Sequence, residues 1–219
     1  SSRASGRSSP RPSPTRSAVL VRLNHSHIRI GTFQRLRFLE MTDEIGRLIE
    51  HSVQHYLPEV TADTEPQKSL AFLDAVSGRL AKTTAAWMLA GFVHGVLNTD
   101  NINITGESFD YGPWRFLPKL DPAFTAAYFD QTGLYAFGRQ PDTMFWNLTR
   151  LAECLLDFAP QPELETVLRA FPPRVQDEFR PALLRRLGVE SRDPDADNVL
   201  VAAAWRFLAI SEMSFERFF

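Results

Sequence analysis

Between Gly91 and Pro113 the chain reads GFVHGVLNTDNINITGESFDYGP, and three clusters in it have the residue types for chemistry: His94-Gly95, Asp100-Asn101 and Asp110-Tyr111-Gly112. Two carboxylates and an amide, carried by a loop and by the end of a hairpin, present hard oxygen atoms to a common point. Such a set suits Mg²⁺, which is typically held by one or two carboxylates together with the phosphates of a substrate. The chemistry implied is transfer at a phosphorus atom. Ile102, Ile104 and Phe109, arranged around the Gly106-Glu107 turn, predict the hairpin that would bring Asp110 back towards Asp100. Alone, an Asp-Asn pair in a loop is more often a turn or a helix cap. Three such clusters in one register favour a functional site.

The order of these parts resembles the C-terminal lobe of protein kinases, where a His-containing catalytic loop with an Asp and a metal-binding Asn precedes a hairpin ending in Asp-aromatic-Gly. His94 to Asn101 keeps the kinase span of seven residues, but the base position two residues after the histidine is Val96. A valine cannot accept a proton. The nearest acid able to replace it is Asp100, so the chemistry must differ from ordinary hydroxyl phosphorylation. His94 itself reads as a buried, loop-holding group.

HGVLNTDN followed by DYGP, with SHIRIGTFQ upstream and GLYAFGRQP and WNLTRLAE downstream, resembles the selenoprotein O family of protein adenylyltransferases, a pseudokinase group, from about Ala18 to at least Ala152. The resemblance implies a protein-kinase-like fold that binds ATP in a flipped orientation. It also implies transfer of AMP to Ser, Thr or Tyr hydroxyls of target proteins, with Mg²⁺, or Mn²⁺ in its place. Motif matching makes Asp100 the catalytic residue and Asn101 and Asp110 the metal ligands, with Asp110 also close to the nucleotide. Arg22 and Arg29, seven residues apart in VRLNHSHIR, match the family's phosphate-contacting arginines. The implied partners are ATP and hydroxyl-bearing proteins, with no nucleic acid and no membrane. The implied location is the cytoplasm of a bacterium or the mitochondrion of a eukaryote. Two other functions fit the residues: a small-molecule phosphotransferase of the aminoglycoside-kinase type, which would need an acid where Val96 stands, and a non-catalytic pseudokinase scaffold.

The elements that must position these residues are legible in outline. Ile45, Leu48, Ile49, Val53 and Tyr56 share one helical face ending before Pro58, and Leu73, Val76, Leu80, Thr84 and Trp87 form another ending at Gly91. Further helical patterns run from Leu148 to Leu155, from Val175 to Leu187 and from Asn198 to Ile210, whereas 91–141 is rich in Gly, Asn, Asp and Pro and reads as irregular. Ala18–Leu23, AVLVRL, predicts a strand. The expected fold class is α+β, mainly α: a kinase-like helical C-lobe with a short catalytic hairpin and a residual N-lobe strand. The expected division is a disordered Ser/Arg/Pro-rich leader at 1–17, the last N-lobe strand and hinge at 18–33, and a C-lobe at 34–219 truncated at its C-terminus.

With 219 residues, 44% of them hydrophobic and 17 of them Phe, the chain has ample material for a core. One cysteine, Cys154, excludes an internal disulfide framework, and its place beside Leu151 and Leu155 predicts a buried, inert thiol. The net charge is -2, yet residues 1–39 hold eight Arg and no acid, leaving about -10 on the remainder. The leader accounts for that asymmetry as a flexible segment. His51 and His55 lie four apart with no evident third ligand, and Trp87 and Trp146 read as core residues. The only lysines are Lys68, Lys82 and Lys119, so the Gly-rich loop and strand Lys of a nucleotide lobe are absent from this chain. Residues 1–219 alone are therefore expected to bind ATP weakly and to transfer little.

Overall fold

The computed structural model describes residue 19 and residues 21–219. The leader at 1–17, together with Ala18 and Leu20, lies outside the described residues. The described chain is mainly helical with a small antiparallel sheet. It runs α1 (Ile30–Phe38), α2 (Thr42–Tyr56), α3 (Glu65–Ala90), β1 (Phe92–Val93), β2 (Arg115–Phe116), α4 (Gln140–Glu153), α5 (Gln161–Arg169), α6 (Phe171–Arg186), α7 (Pro194–Ser211) and α8 (Phe215–Phe218). Short 3₁₀ turns at Thr99–Asn101 and Phe137–Arg139 interrupt the loop region. None of the described helices is long and apolar enough to cross a membrane.

Helix α3 is the axis of the molecule. The Thr64 side chain accepts the Gln67 N–H at its start, proline occupies its first turn, and Gly91 closes it in the left-handed conformation (φ 64°). Leu73, Val76, Leu80 and Thr84, spaced as expected, are completely buried, and the helix packs along α6, α4 and α5. On α2 the inward positions are Ile45 and Ile49, with Asp43 and Glu44 in the first turn, where the helix dipole favours acids. Each such fully buried aliphatic side chain contributes about 1.5–3 kcal/mol. Gly78 sits inside α3 with open space where a side chain would begin. Gly78→Ala is therefore expected to stabilise the fold by about 0.5–1 kcal/mol, read as a higher urea midpoint at unchanged slope.

The principal core carries the site. Leu97, Ile102 and Ile104 are fully buried in the cluster that contains Ile30, Phe33, Leu80, Met144 and Leu148. Asp100 and Asn101 thus lie on a short arch whose two feet are anchored in the core. A second cluster joins Val93, Leu117, Phe137, Leu208 and Phe215 and fixes the β1–β2 side.

Two expectations need correction. The strand at 18–23 does not form among the described residues of that stretch: Val19, Val21 and Leu23 are 93%, 77% and 92% exposed, and no ladder partner meets them. A strand is a property of a pair, and β-propensity alone does not supply the second member. The hinge at 18–33 ends in helix, because Ile30 and Phe33, both fully buried, open α1. Helices α5 and α6 each begin with proline in the first turn, where proline is compatible with a helix.

Candidate active site

The segment after β1 folds back on itself through backbone bonds. Gly95 N–H donates to Tyr111 O (3.0 Å), Phe109 N–H to Asn101 O (2.8 Å), and Asn103 N–H to Glu107 O (2.9 Å). The expected hairpin is present as a tight turn, with Ile102 bridged to Ser108. A side chain on Gly95 would collide with the ring of Pro113, which explains why His94-Gly95 and Tyr111-Gly112-Pro113 fit together. The fold thereby brings the Asp100-Asn101 arch beside Asp110.

Each acid is held by its neighbours. Asp100 N–H donates to Asn98 Oδ1 (3.0 Å), which caps the 3₁₀ turn, and the carboxylate is 66% exposed. Asn101 Nδ2 donates to Val96 O (2.7 Å), so Oδ1 is the side-chain atom left to serve as a ligand. Asp110 Oδ1 accepts Gly112 N–H (3.0 Å), which leaves Oδ2 for the same purpose. One carboxylate oxygen and one amide oxygen, both hard donors, fit Mg²⁺. At the base position of a kinase, Val96 uses its backbone at both ends: its N–H donates to His94 Nδ1 (3.1 Å) and its carbonyl accepts from Asn101.

Both arginines reach the site from the segment before α1. Arg29 Nη1 lies 3.8 Å from Asp100 Oδ1 and donates to Asp100 O (3.3 Å), with its guanidinium 4.6 Å from the centre of the Phe109 ring. Arg22 donates to Phe109 O and stacks 4.7 Å from the centre of the Tyr111 ring. The chain from Val21 to Ile28 is thus tied to the hairpin by side chains. His25 N–H and Nδ1 both meet the Glu107 carboxylate, the latter at 2.6 Å.

Two cavities flank the site, one at the Asp110 end of the hairpin and one beside Leu97 and Asn98 at the foot of the arch. One, of about 680 Å³, is lined by Arg22, Asp110, Phe92, Tyr111, Trp114 and Phe116. The other, of about 390 Å³, is lined by Asn98, Leu134, Tyr135, Arg139, Asp142 and Trp146, among others. Trp146 is 47% exposed in this second cavity and is a wall residue rather than the core residue its type suggests.

His94 is buried completely, as expected. Because its Nδ1 accepts the Val96 N–H, its proton is on Nε2, which donates to Ser108 Oγ (2.8 Å). Ser108 Oγ in turn lies 2.9 Å from Asp110 O and 3.1 Å from Asn101 O. Burial pushes the imidazole pKa down to about 4, with Asp110 opposing part of that shift. One neutral ring therefore links both halves of the hairpin.

Three contributors were not singled out from the sequence. Gln140, 1% exposed, accepts His94 N–H (2.9 Å) and donates to Phe92 O (2.9 Å), while Asn147 donates to Leu97 O (3.3 Å). Both lie in the stretches GLYAFGRQP and WNLTRLAE, so the signal was a polar residue on the inner side of an amphipathic helix. Ser108 is the third. Cys154 has the expected character: it is 2% exposed, bonded to Arg150 O, and its thiol is pushed up to about 11 by burial. The His51 and His55 rings lie 4.4 Å apart, and among the described residues no group of three or more metal-ligating His, Cys, Asp or Glu side chains occurs.

The family model described as protein adenylyltransferase SelO matches residues 4–219. The chain is similar to proteins named protein nucleotidyltransferase YdiU. That of a Synechocystis species is 42% identical over 214 residues, which is 95% of this chain and 45% of the relative. The Trichormus variabilis protein is 41% identical over 208 residues, 95% and 42% of the two chains, and a Vibrio vulnificus protein is 37% identical over 202 residues, 92% and 41%. The chain spans less than half the length of these curated relatives. The family match runs through the arch, the hairpin and both arginines, and the chain belongs to the SelO family of protein adenylyltransferases.

Proposed function

We propose that this chain carries the catalytic hairpin of a protein adenylyltransferase that moves AMP from ATP to a protein hydroxyl. The observation that carries the proposal is the convergence of Arg22, Arg29, Asp100, Asn101 and Asp110 on one hairpin whose kinase base position is a valine. Asp100 accepts the proton of an incoming Ser, Thr or Tyr hydroxyl. The hydroxyl oxygen bonds to the α-phosphorus, the bond from that phosphorus to the β-bridging oxygen breaks, and pyrophosphate departs with both electrons of the broken bond. Arg22 and Arg29 offer planar donor forks to the phosphate oxygens and to the charge that develops on the leaving group. Asn101 Oδ1 and Asp110 Oδ2 would hold Mg²⁺, which neutralises phosphate charge when bound. The surrounding lobe reads as kinase-like on this view.

The aromatic cavity beside Asp110 and Arg22 suits a nucleotide, with ring faces for a base and Arg22 for phosphate. The smaller cavity, walled by the Asn98 that holds Asp100, suits the acceptor polypeptide. Trp146→Ala is therefore expected to raise KM for an acceptor protein about 10-fold while KM for ATP stays within twofold, a loss of about 1.4 kcal/mol of acceptor binding. Equal changes in both constants would remove the acceptor assignment.

Labelled ATP tests the reaction class in a protein of the relatives' full length that carries these residues. Label passing from the α-phosphate to protein supports adenylyl transfer. Label passing from the γ-phosphate would make the protein a kinase, and transfer of neither would leave a scaffold.

A further inference from the structure

The Asp100 carboxylate does not stand free on its arch. Its Oδ1 lies against the backbone of Gly31, in the first turn of α1, at the place where a side chain on that residue would begin. A Cβ built on Gly31 would overlap Oδ1, well inside van der Waals contact distance, and would lie 3.0 Å from Asp100 Cγ and 3.4 Å from Asp100 Cα. The two segments are bound together there: Ile30 N–H donates to Ile102 O (3.0 Å), one residue beyond the arch, and Arg29 reaches Asp100 from the residue before α1. Ile30 and Ile102 are both fully buried, so neither backbone can retreat. The carboxylate is the mobile partner, being the exposed end of a side chain.

We propose that Gly31 is a positioning residue: the hydrogen in place of its side chain creates the slot that fixes the rotamer of Asp100 for proton acceptance. The inference rests on the reading of Asp100 as the group that accepts the acceptor's proton. Nothing about helix α1 requires a glycine here on its own account. Gly31 has an ordinary backbone conformation, since its φ is outside the left-handed range, and glycine in a helix is otherwise a disadvantage. Alanine at this position should therefore leave the fold as stable as before and displace only the carboxylate. Misplacement of a reacting group by about 1 Å costs up to roughly 10²-fold in rate.

The test is a double-mutant cycle in a protein of the relatives' full length carrying Gly31→Ala, Asp100→Ala or both, with Gly78→Ala as the control for a glycine-to-alanine change in a helix. Incorporation of α-labelled AMP into the enzyme and into casein is measured with KM for ATP and Tm, and the Asp100 carboxylate carbon is followed by NMR in residues 1–219. Gly31→Ala is expected to lower kcat by about 10–10²-fold, to leave KM for ATP and Tm unchanged, and to shift the Asp100 carboxylate signal. In the Asp100→Ala background it should cost nothing further, because it acts through that side chain. Gly78→Ala should retain full activity. Full activity of Gly31→Ala beside an inactive Asp100→Ala would overturn the positioning role alone, as would a further loss in the double variant or a Tm lowered by more than about 5 °C. Full activity of Asp100→Ala would overturn the reading of Asp100 and the inference with it.

Discussion

Replacing Asp110 with alanine should lower AMP incorporation by on the order of 10²–10³-fold, about 3–4 kcal/mol of transition-state stabilisation, while the protein remains folded. The side chain is exposed, and its one hydrogen bond among the described residues is from Gly112 N–H to Oδ1. The Asp110 carbonyl, which faces Ser108 Oγ, belongs to the backbone and survives the substitution. Asp110→Asn separates the two uses of the residue. It keeps an oxygen for Gly112 N–H but removes the negative charge that a divalent cation needs. If the carboxylate serves the metal and the nucleotide, the asparagine variant should be nearly as slow as the alanine variant, and added Mn²⁺ should restore little. Activity of Asp110→Asn close to that of the parent protein would reduce the residue to a turn-former and sink the metal assignment. The measurement is α-label incorporation at saturating ATP, in a protein of the relatives' full length, with Tm recorded for each variant.

What could be read from the sequence and what could not divide along a physical line. Asp100, Asn101 and Asp110 were legible because a single hairpin of about a dozen residues brings them together, so their spacing along the chain is already their geometry. The long helices were legible because burial on one face imposes a period, as Ile45 and Ile49 on α2 and Leu73, Val76 and Leu80 on α3 show. Gly31, Gln140 and Asn147 could not be read in the same way. They act on Asp100, His94 and Leu97 across tens of residues, and nothing local in the chain marks a glycine as a slot or a glutamine as a clamp. The strand at 18–23 failed for a related reason. Ala18–Leu23 is a β-branched and apolar run of the kind strands are made from, yet the bonds that make a strand come from elsewhere in the molecule. What that segment does instead was written in its one charged residue, since Arg22 ties it to the hairpin, as Arg29 does for the residues that follow.

The buried histidine leads to the second large effect. His94 has no exposed surface, and both ring nitrogens are engaged in its neutral form: Nδ1 accepts from Val96 and Nε2 donates to Ser108. Burial lowers its pKa from 6.5 to about 4 in the folded protein. In the unfolded chain the same ring titrates near its ordinary value, so between those two limits the unfolded state binds a proton that the folded state refuses. The neutral ring's contribution is complete above about pH 6.5 and is lost progressively as the pH falls towards 4, to a total of about 3 kcal/mol. His94→Gln is expected to remove this sensitivity, because an amide does not titrate. It should also destabilise the protein by about 2–3 kcal/mol near pH 7, since the glutamine amide lies at the level of Nε2 and does not place an acceptor at the Nδ1 position for Val96 N–H. Urea unfolding of both proteins at about pH 7 and about pH 5 isolates the effect, because titration of the other histidines and of the carboxylates is common to the pair and cancels in the difference. The parent protein should lose about 2 kcal/mol more than the variant between the two conditions. An equal loss in both would mean that His94 is not the group that couples acid to unfolding. A selective loss would identify His94 as that group, a neutral ring that braces a hairpin already closed by its backbone bonds.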